Sequence, residues 1–237
     1  MANFNFTNGQ DPFLHVSLEK GEIIYSESNS MVMMEATLDL EGKMNGGFFQ
    51  SAMRKFANDN SFFRQKITAT RGGGDILLSQ RLPGAIMILN VSANANYYLN
   101  DGAFLACEQN VDTRAKTQSI GKALFGSTGG FVITEATGQG KLAVGGFGDI
   151  FEIEVVAGKD IIIDNNHVVA WDKNLNYNVS ISTSKGKGFF GNLLNSQLSG
   201  EALVTRFSGN GKVYICSRNK MDFAAWVSSL IMTKPEN

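Results

Sequence analysis

Apolar and polar residues alternate in short runs along most of this chain. In Phe151-Glu152-Ile153-Glu154-Val155 the apolar side chains fall on one face and the acids on the other. ATLDLEG sets Leu38 and Leu40 against Asp39 and Glu41, and NVSIST brings Val179 and Ile181 together. A period of two predicts half-buried β-strands. The tail breaks this rhythm: in KMDFAAWVSSLIM, Phe223, Trp226, Val227, Leu230 and Ile231 follow helical spacing. They predict an amphipathic helix within 219–232 that docks on the β body or on a neighbouring subunit. Phe49, Ala52, Met53 and Phe56 share that spacing and predict a second short helix inside a long insert.

The same local text occurs three times: ITATRGGGDILLS, VITEATGQGKLAV and LVTRFSGNGKVYI. Each is an apolar strand, a Gly-x-Gly pair, a charged residue and a second strand. The glycines are Gly72 and Gly74, Gly138 and Gly140, and Gly209 and Gly211; Asp75, Lys141 and Lys212 follow them. Such a text predicts a hairpin turned by glycine. A helix would have to follow for a phosphate loop, and a strand follows each time. The openings EKGEIIY, NDGAFLA and DNNHVVA also correspond. The first two copies share a later strand, PGAIMIL and FGDIFEIEV, which aligns Gly84 with Gly148 and has no counterpart in the third. The copies run over 13–93, 94–159 and 160–218. No copy alone has enough apolar surface to stand. The prediction is an all-β fold of three diverged β-sandwich or double-stranded β-helix-like repeats around a pseudo-threefold axis, one compact body closed by the short C-terminal α-helix.

Chemistry narrows the picture mainly by exclusion. A net charge of -1 gives no general attraction to nucleic acid or anionic lipid. Cys107 and Cys216 sit far apart in apolar runs and read as buried thiols. The two histidines, His15 and His167, stand in no metal-binding or catalytic motif, and neither a metal nor a cofactor is expected. Glu152 and Glu154 share a strand face and read as its wet side. Met31, Met33 and Met34 read as core filling. MANFNFTNGQDP has neither the basic nor the apolar run of a leader, so the expected location is cytoplasmic, at most peripheral to a membrane.

The segment that precedes each glycine pair pairs apolar with basic residues. Phe48 and Phe49 accompany Arg54 and Lys55; Leu124 and Phe125 accompany Lys122; Phe189 and Phe190 accompany Lys185 and Lys187. Two readings stand: lids folded over the sheet ends, or a contact surface for a second subunit, a protein partner or a membrane face. The leading functional expectation is a non-enzymatic, self-associating β scaffold that docks partners through these segments. A small-ligand or nucleic-acid binding module and an enzyme of unrecognised type are the alternatives.

The order EKGEIIY, GGFFQ, the Gly-x-Gly texts, DGAFLA, FGDIFEIEV and GEALVTRFSGNGKVYICSR resembles bacterial members of the mitochondrial-biogenesis family named for altered inheritance of mitochondria. The likeness runs from about residue 13 to 218. It implies an all-β fold similar to three fused units of the tryptophan RNA-binding attenuation protein, and homo-oligomers. It brings no catalytic residues with it. Nucleic acid is not an expected partner, because the positions after the glycines (Asp75, Lys141, Lys212) form no uniform basic set.

Overall fold

A computed structural model describes residues 1–41, 64–118, 131–181 and 203–231. An opening strand β1 (Asn3–Phe6) precedes β2 (Leu14–Leu18), β3 (Ile23–Glu27), β4 (Met31–Met34), β5 (Asp39–Glu41), β6 (Arg64–Thr68) and β7 (Gly74–Leu78). Next come β8 (Ile86–Val91), β9 (Tyr97–Leu99), β10 (Phe104–Glu108), β11 (Val111–Gln118), β12 (Phe131–Gly138) and β13 (Gly140–Gly145). The last set is β14 (Ile150–Val155), β15 (Ile161–Asp164), β16 (Val168–Asp172), β17 (Asn176–Ile181), β18 (Leu203–Ser208) and β19 (Gly211–Cys216). A 12-residue helix, α1 (Lys220–Ile231), ends the described chain.

Four sheets result, in the orders β1-β2-β7-β4, β5-β6-β3-β10-β13-β8, β11-β12-β9-β16-β19-β14 and β15-β18-β17. Within each successive set of six strands the first, sixth and third lie in one sheet, and the fourth, fifth and second in the next. The chain thus changes sheet at almost every turn. Buried side chains of the two layers meet between them: Leu14, Val16 and Ile76 pack with Ile24, Ile67 and Leu38 in one core. A second core holds Leu89, Leu142 and Cys107 with Leu99, Val111 and Ala136, and a third holds Trp171, Val213 and Val155 with Phe207. Each central six-stranded sheet therefore serves two cores.

Register repeats with the pairing. A bulge interrupts the third strand against the sixth three times: between Met31 and Met33, Phe104 and Ala106, and Val168 and Ala170. Beyond the bulge, Met34 opposes Ile76, Cys107 opposes Leu142 and Trp171 opposes Val213.

Three expectations need correction. The Gly-x-Gly turns are not hairpins: β12 lies in one sheet and β13 in another, and the same holds for β6 and β7 and for β18 and β19. They are corners between layers. True antiparallel partners are β5 and β6, β11 and β12, and β17 and β18. The following strand that the repeat reading assigns to copies one and two instead pairs with the sixth strand of the set that follows, as β8 does with β13 and β14 with β19. Its counterpart in the first set is β2, on β7. Lastly, Phe151 does not join Val155 in the core; it is 66% exposed on the edge strand β14.

Gly84 and Gly148, aligned from sequence alone, meet as a parallel bridge. Ala85 N–H donates to Gly148 O at 2.6 Å and Gly148 N–H to Pro83 O at 3.0 Å. A Cβ on Gly84 would sit inside the backbone of Gly146 and Gly148, whereas one on Gly158 would meet nothing. Both have positive φ, +150° and +84°. Gly84→Ala is expected to lower unfolding free energy by about 3 kcal/mol, through backbone strain plus overpacking. Gly158→Ala should cost about 1 kcal/mol, from the conformation alone. Equal losses in urea titrations would show that the junction yields to the extra methyl.

Candidate functional site

The predicted contact residues Phe48, Phe49, Arg54, Lys55, Leu124, Phe125, Phe189 and Phe190 lie outside the described residues, as does the helix expected around Phe49 to Phe56. The strands that flank them are informative. Residues 42–63 join β5 to β6, 119–130 join β11 to β12, and 182–202 join β17 to β18. All three connect the same antiparallel pair of their set.

Each glycine corner is held by a carboxylate that the sequence reading passed over. Glu108 Oε2 accepts the Lys141 N–H at 2.7 Å, Asp172 Oδ2 the Lys212 N–H at 2.8 Å, and Glu35 Oε2 the Asp75 N–H at 3.2 Å. A Cβ on Gly140 would lie 2.7 Å from Glu108 Oε2, so the second glycine makes room for the acid. Three residues after each acid comes a buried apolar side chain, Leu38, Val111 or Leu175. An acid with an apolar residue three places on, upstream of every glycine pair, is the signal that could have revealed this contact. Burial pushes the Asp172 carboxyl up, although the Lys212 N–H and ammonium oppose the shift.

The turns between second and third strands converge with the connections after the sixth strands around a cavity of about 620 Å³. Asn29, Asn100 and Asn166 line it from the first group; Gln80 and Phe147 from the second. Arg64, Arg81, Arg218 and Lys220 face it with Glu27 and Asp101. Arg81 pairs with Glu27 at 3.4 Å and Lys220 with Asp101 at 3.9 Å. Arg64 donates to Thr113 O at 3.0 Å and stands 5.5 Å from the Tyr25 ring centre. Burial, seconded by Asp101, raises the Glu27 carboxyl's proton affinity despite Arg81. Asn100 Nδ2 donates to the carbonyls of Asn165 and Val168, each at 2.9 Å, and ties the second turn to the third. The lining can hydrogen-bond and charge-pair with a small polar solute.

The thiols are poor nucleophiles. Burial pushes Cys107 up to about 12 and raises Cys216, which lines the cavity. His167 Nδ1 contacts Cys216 O at 2.7 Å, and His15 lies 3.4 Å from Asp75. Among the described residues no group of three or more His, Cys, Asp or Glu is placed to hold a metal, and no helix is long and apolar enough to cross a membrane.

Several apolar side chains remain in water. Helix α1 is fixed at its start, where Asn219 Oδ1 accepts the Met221 N–H at 2.8 Å and Phe223 meets Phe147 edge-on at 5.2 Å. Beyond that the helix buries no residue: Trp226 and Leu230 are each 59% exposed. The C-terminal helix forms where the spacing places it, but among the described residues its apolar stripe covers little. Of the three methionines read as core, Met31 and Met34 pack against it, whereas Met33 is 42% exposed.

Fold and cavity together define an all-β protein whose sheets run from one core to the next, with a polar pocket where its turns meet. It belongs to the mitochondrial biogenesis AIM24 family, whose model matches residues 4–218. An uncharacterized protein of Streptococcus pyogenes serotype M6 is 34% identical over 230 residues, which span 94% of this chain and 88% of that one. The crystal structure of a Streptococcus pyogenes protein superposes with a TM-score of 0.80 at 31% identity, covering 97% of this chain and 100% of the other.

The ion pair with the clearest pH signature joins the second set to the third. Glu135 is 2.8 Å from Lys116 and 2.5 Å from Lys173. Burial pushes its carboxyl up, but the two lysines outweigh burial and hold it below the ordinary 4.5. A depressed carboxyl stabilises the fold above its unfolded pKa and loses that contribution as pH falls through the folded value. Glu135→Gln should cost about 1–3 kcal/mol at neutral pH. The gap to wild type should close in urea titrations below pH 4; a gap constant from pH 7 to 3 would assign the loss to packing.

Proposed function

We propose that this protein is a non-enzymatic β scaffold that associates with copies of itself and presents apolar surface to a partner. The observation that carries this reading is the set of large apolar side chains left in water on regular elements: Phe151 at 66%, Ile162 at 65%, and Trp226 and Leu230 at 59%. Uncovered strand edges that carry large apolar side chains are costly for a chain that stays alone, and they mark contact sites. The apolar-basic segments around Phe48, Phe125 and Phe189 support it, because each joins the same strand pair of its set.

The full chain is expected to run in light scattering above its own 25.7 kDa. Serine at Phe48, Phe49, Phe189 and Phe190 should lower that mass or the fraction that sediments with liposomes, with the β-sheet circular dichroism retained. If neither quantity changes, those segments drop out of the reading.

The cavity favours a second reading, binding of a small polar ligand. Inorganic phosphate or a short dicarboxylate would then raise the melting temperature, and Arg81→Ala would abolish the rise. A melting curve indifferent to both removes the simple anionic ligands.

A further inference from the structure

Strand order leaves one junction unmade. In the two central sheets, the third strand of one set pairs with the second strand of the set before it: β10 with β3, and β16 with β9. These pairings turn half-sheets of three strands into sheets of six. Two half-sheets are left over. One ends at β4, the third strand of the first set; the other ends at β15, the second strand of the last set. Among the described residues no backbone hydrogen bond or ladder joins them.

We propose that the chain assembles head to tail, with Met31–Met34 of one copy pairing antiparallel with Ile161–Asp164 of the next. This rests on the self-association reading and gives it a surface. Joined in this way the leftovers read β17-β18-β15-β4-β7-β2, with β1 beyond. That is the order of both central sheets: fourth, fifth, second, third, sixth, first.

The internal junctions fix the register. Ala106 opposes Ser26, Cys107 opposes Tyr25 and Glu108 opposes Ile24; Ala170 opposes Leu99, Trp171 opposes Tyr98 and Asp172 opposes Tyr97. From the bulge onward, Met33, Met34 and Glu35 hold the places of Ala106, Cys107 and Glu108. On the other edge, Ile163 pairs with Thr205 as Leu99 does with Thr134, each two residues before the aligned Phe207 and Ala136. The span from Val155 to Ile162 equals those from Val91 to Tyr98 and from Leu18 to Tyr25. Met33 of one copy thus faces Ile163 of the next, Met34 faces Ile162, and Glu35 faces Ile161.

Exposure changes where the junction is open. Ala106 and Ala170 are 0% exposed, while Met33 in their place is 42%. Leu105 and Val169 are 1% and 3%, while Val32 is 54%. Ile162, in the place of the half-buried Tyr25 and Tyr98, is 65%. Met31–Met34 and Ile161–Ile163 carry none of the lysine, proline or charge that usually blocks strand addition, and the Asp164 carboxylate that ends β15 accepts the Asn166 N–H. A passing extended peptide could satisfy one edge. Only another copy supplies both with matching register and apolar chemistry. One edge of each kind per chain makes the contact heterologous, so copies add until a ring closes or a filament grows.

The test uses the full chain and two kinds of variant. Met33→Lys and Ile162→Lys place a charge on exposed edge positions, where the fold should survive, as circular dichroism checks. Wild type should show multiples of 25.7 kDa in light scattering, and each lysine variant should fall to 25.7 kDa. Met34→Cys and Ile162→Cys, made separately, mixed and oxidised, should form a mixed disulfide dimer that neither forms alone; Cys107 and Cys216 are buried. Wild type that assembles, with both lysine variants unchanged and no mixed disulfide, overturns this pairing but leaves self-association standing. Wild type at 25.7 kDa at every concentration overturns both.

Discussion

Pairing between one set of strands and the next is the interaction on which the rest of the architecture depends. β3 takes β10 as a neighbour and β9 takes β16, so each central sheet carries strands from two sets. A sheet that serves two cores cannot lose one without exposing part of the other. Buried area is thereby coupled along the whole chain, and no set of six strands closes a core from its own residues alone: Ile86, Leu105 and Ala143 belong to the first core, and Tyr214 and Cys216 to the second. Shared layers give the stability that a short repeat lacks, as in other repeat proteins.

Frequent changes of sheet pose a local problem that the glycine corners solve. A chain that leaves one layer and enters the next frees backbone N–H groups from the ladder at the bend, and these need acceptors. Glu35, Glu108 and Asp172 supply acceptors at these bends, and the glycine beside each lets the carboxylate approach. In the third core the same construction sits beside a cluster of rings: Trp171 lies 5.1 Å from Tyr177 and 5.7 Å from Phe207, in edge-on contacts of a kind that contributes about 0.5–1.5 kcal/mol each. Burial there also pushes the Tyr177 hydroxyl up to about 12.

Surface chemistry divides between two regions. At the convergence of turns, cations and amides surround a polar cavity. At the outer strands and along α1, apolar side chains lie open. The first arrangement suits a small solute and the second a macromolecular surface. Elements held in place by the shared sheets can present both at fixed positions.

Sequence alone determined the all-β class, the C-terminal helix and the family. Alternation marks the strands because a pleat sends neighbours to opposite faces, and helical spacing gave α1 its stripe. Gly84 and Gly148 aligned on paper and touch in space. Only the tertiary structure decided which strands are partners. Local text cannot tell a hairpin from a corner, because both need a tight glycine turn, and pairing is settled by residues far apart in sequence. The same holds for burial: Phe151 and Met33 read as core by pattern and Trp226 as part of a docking face, yet they lie exposed on edge strands and on a helix that the described residues leave uncovered. Periodicity states which face is apolar; what covers that face is set by neighbours that the sequence does not order.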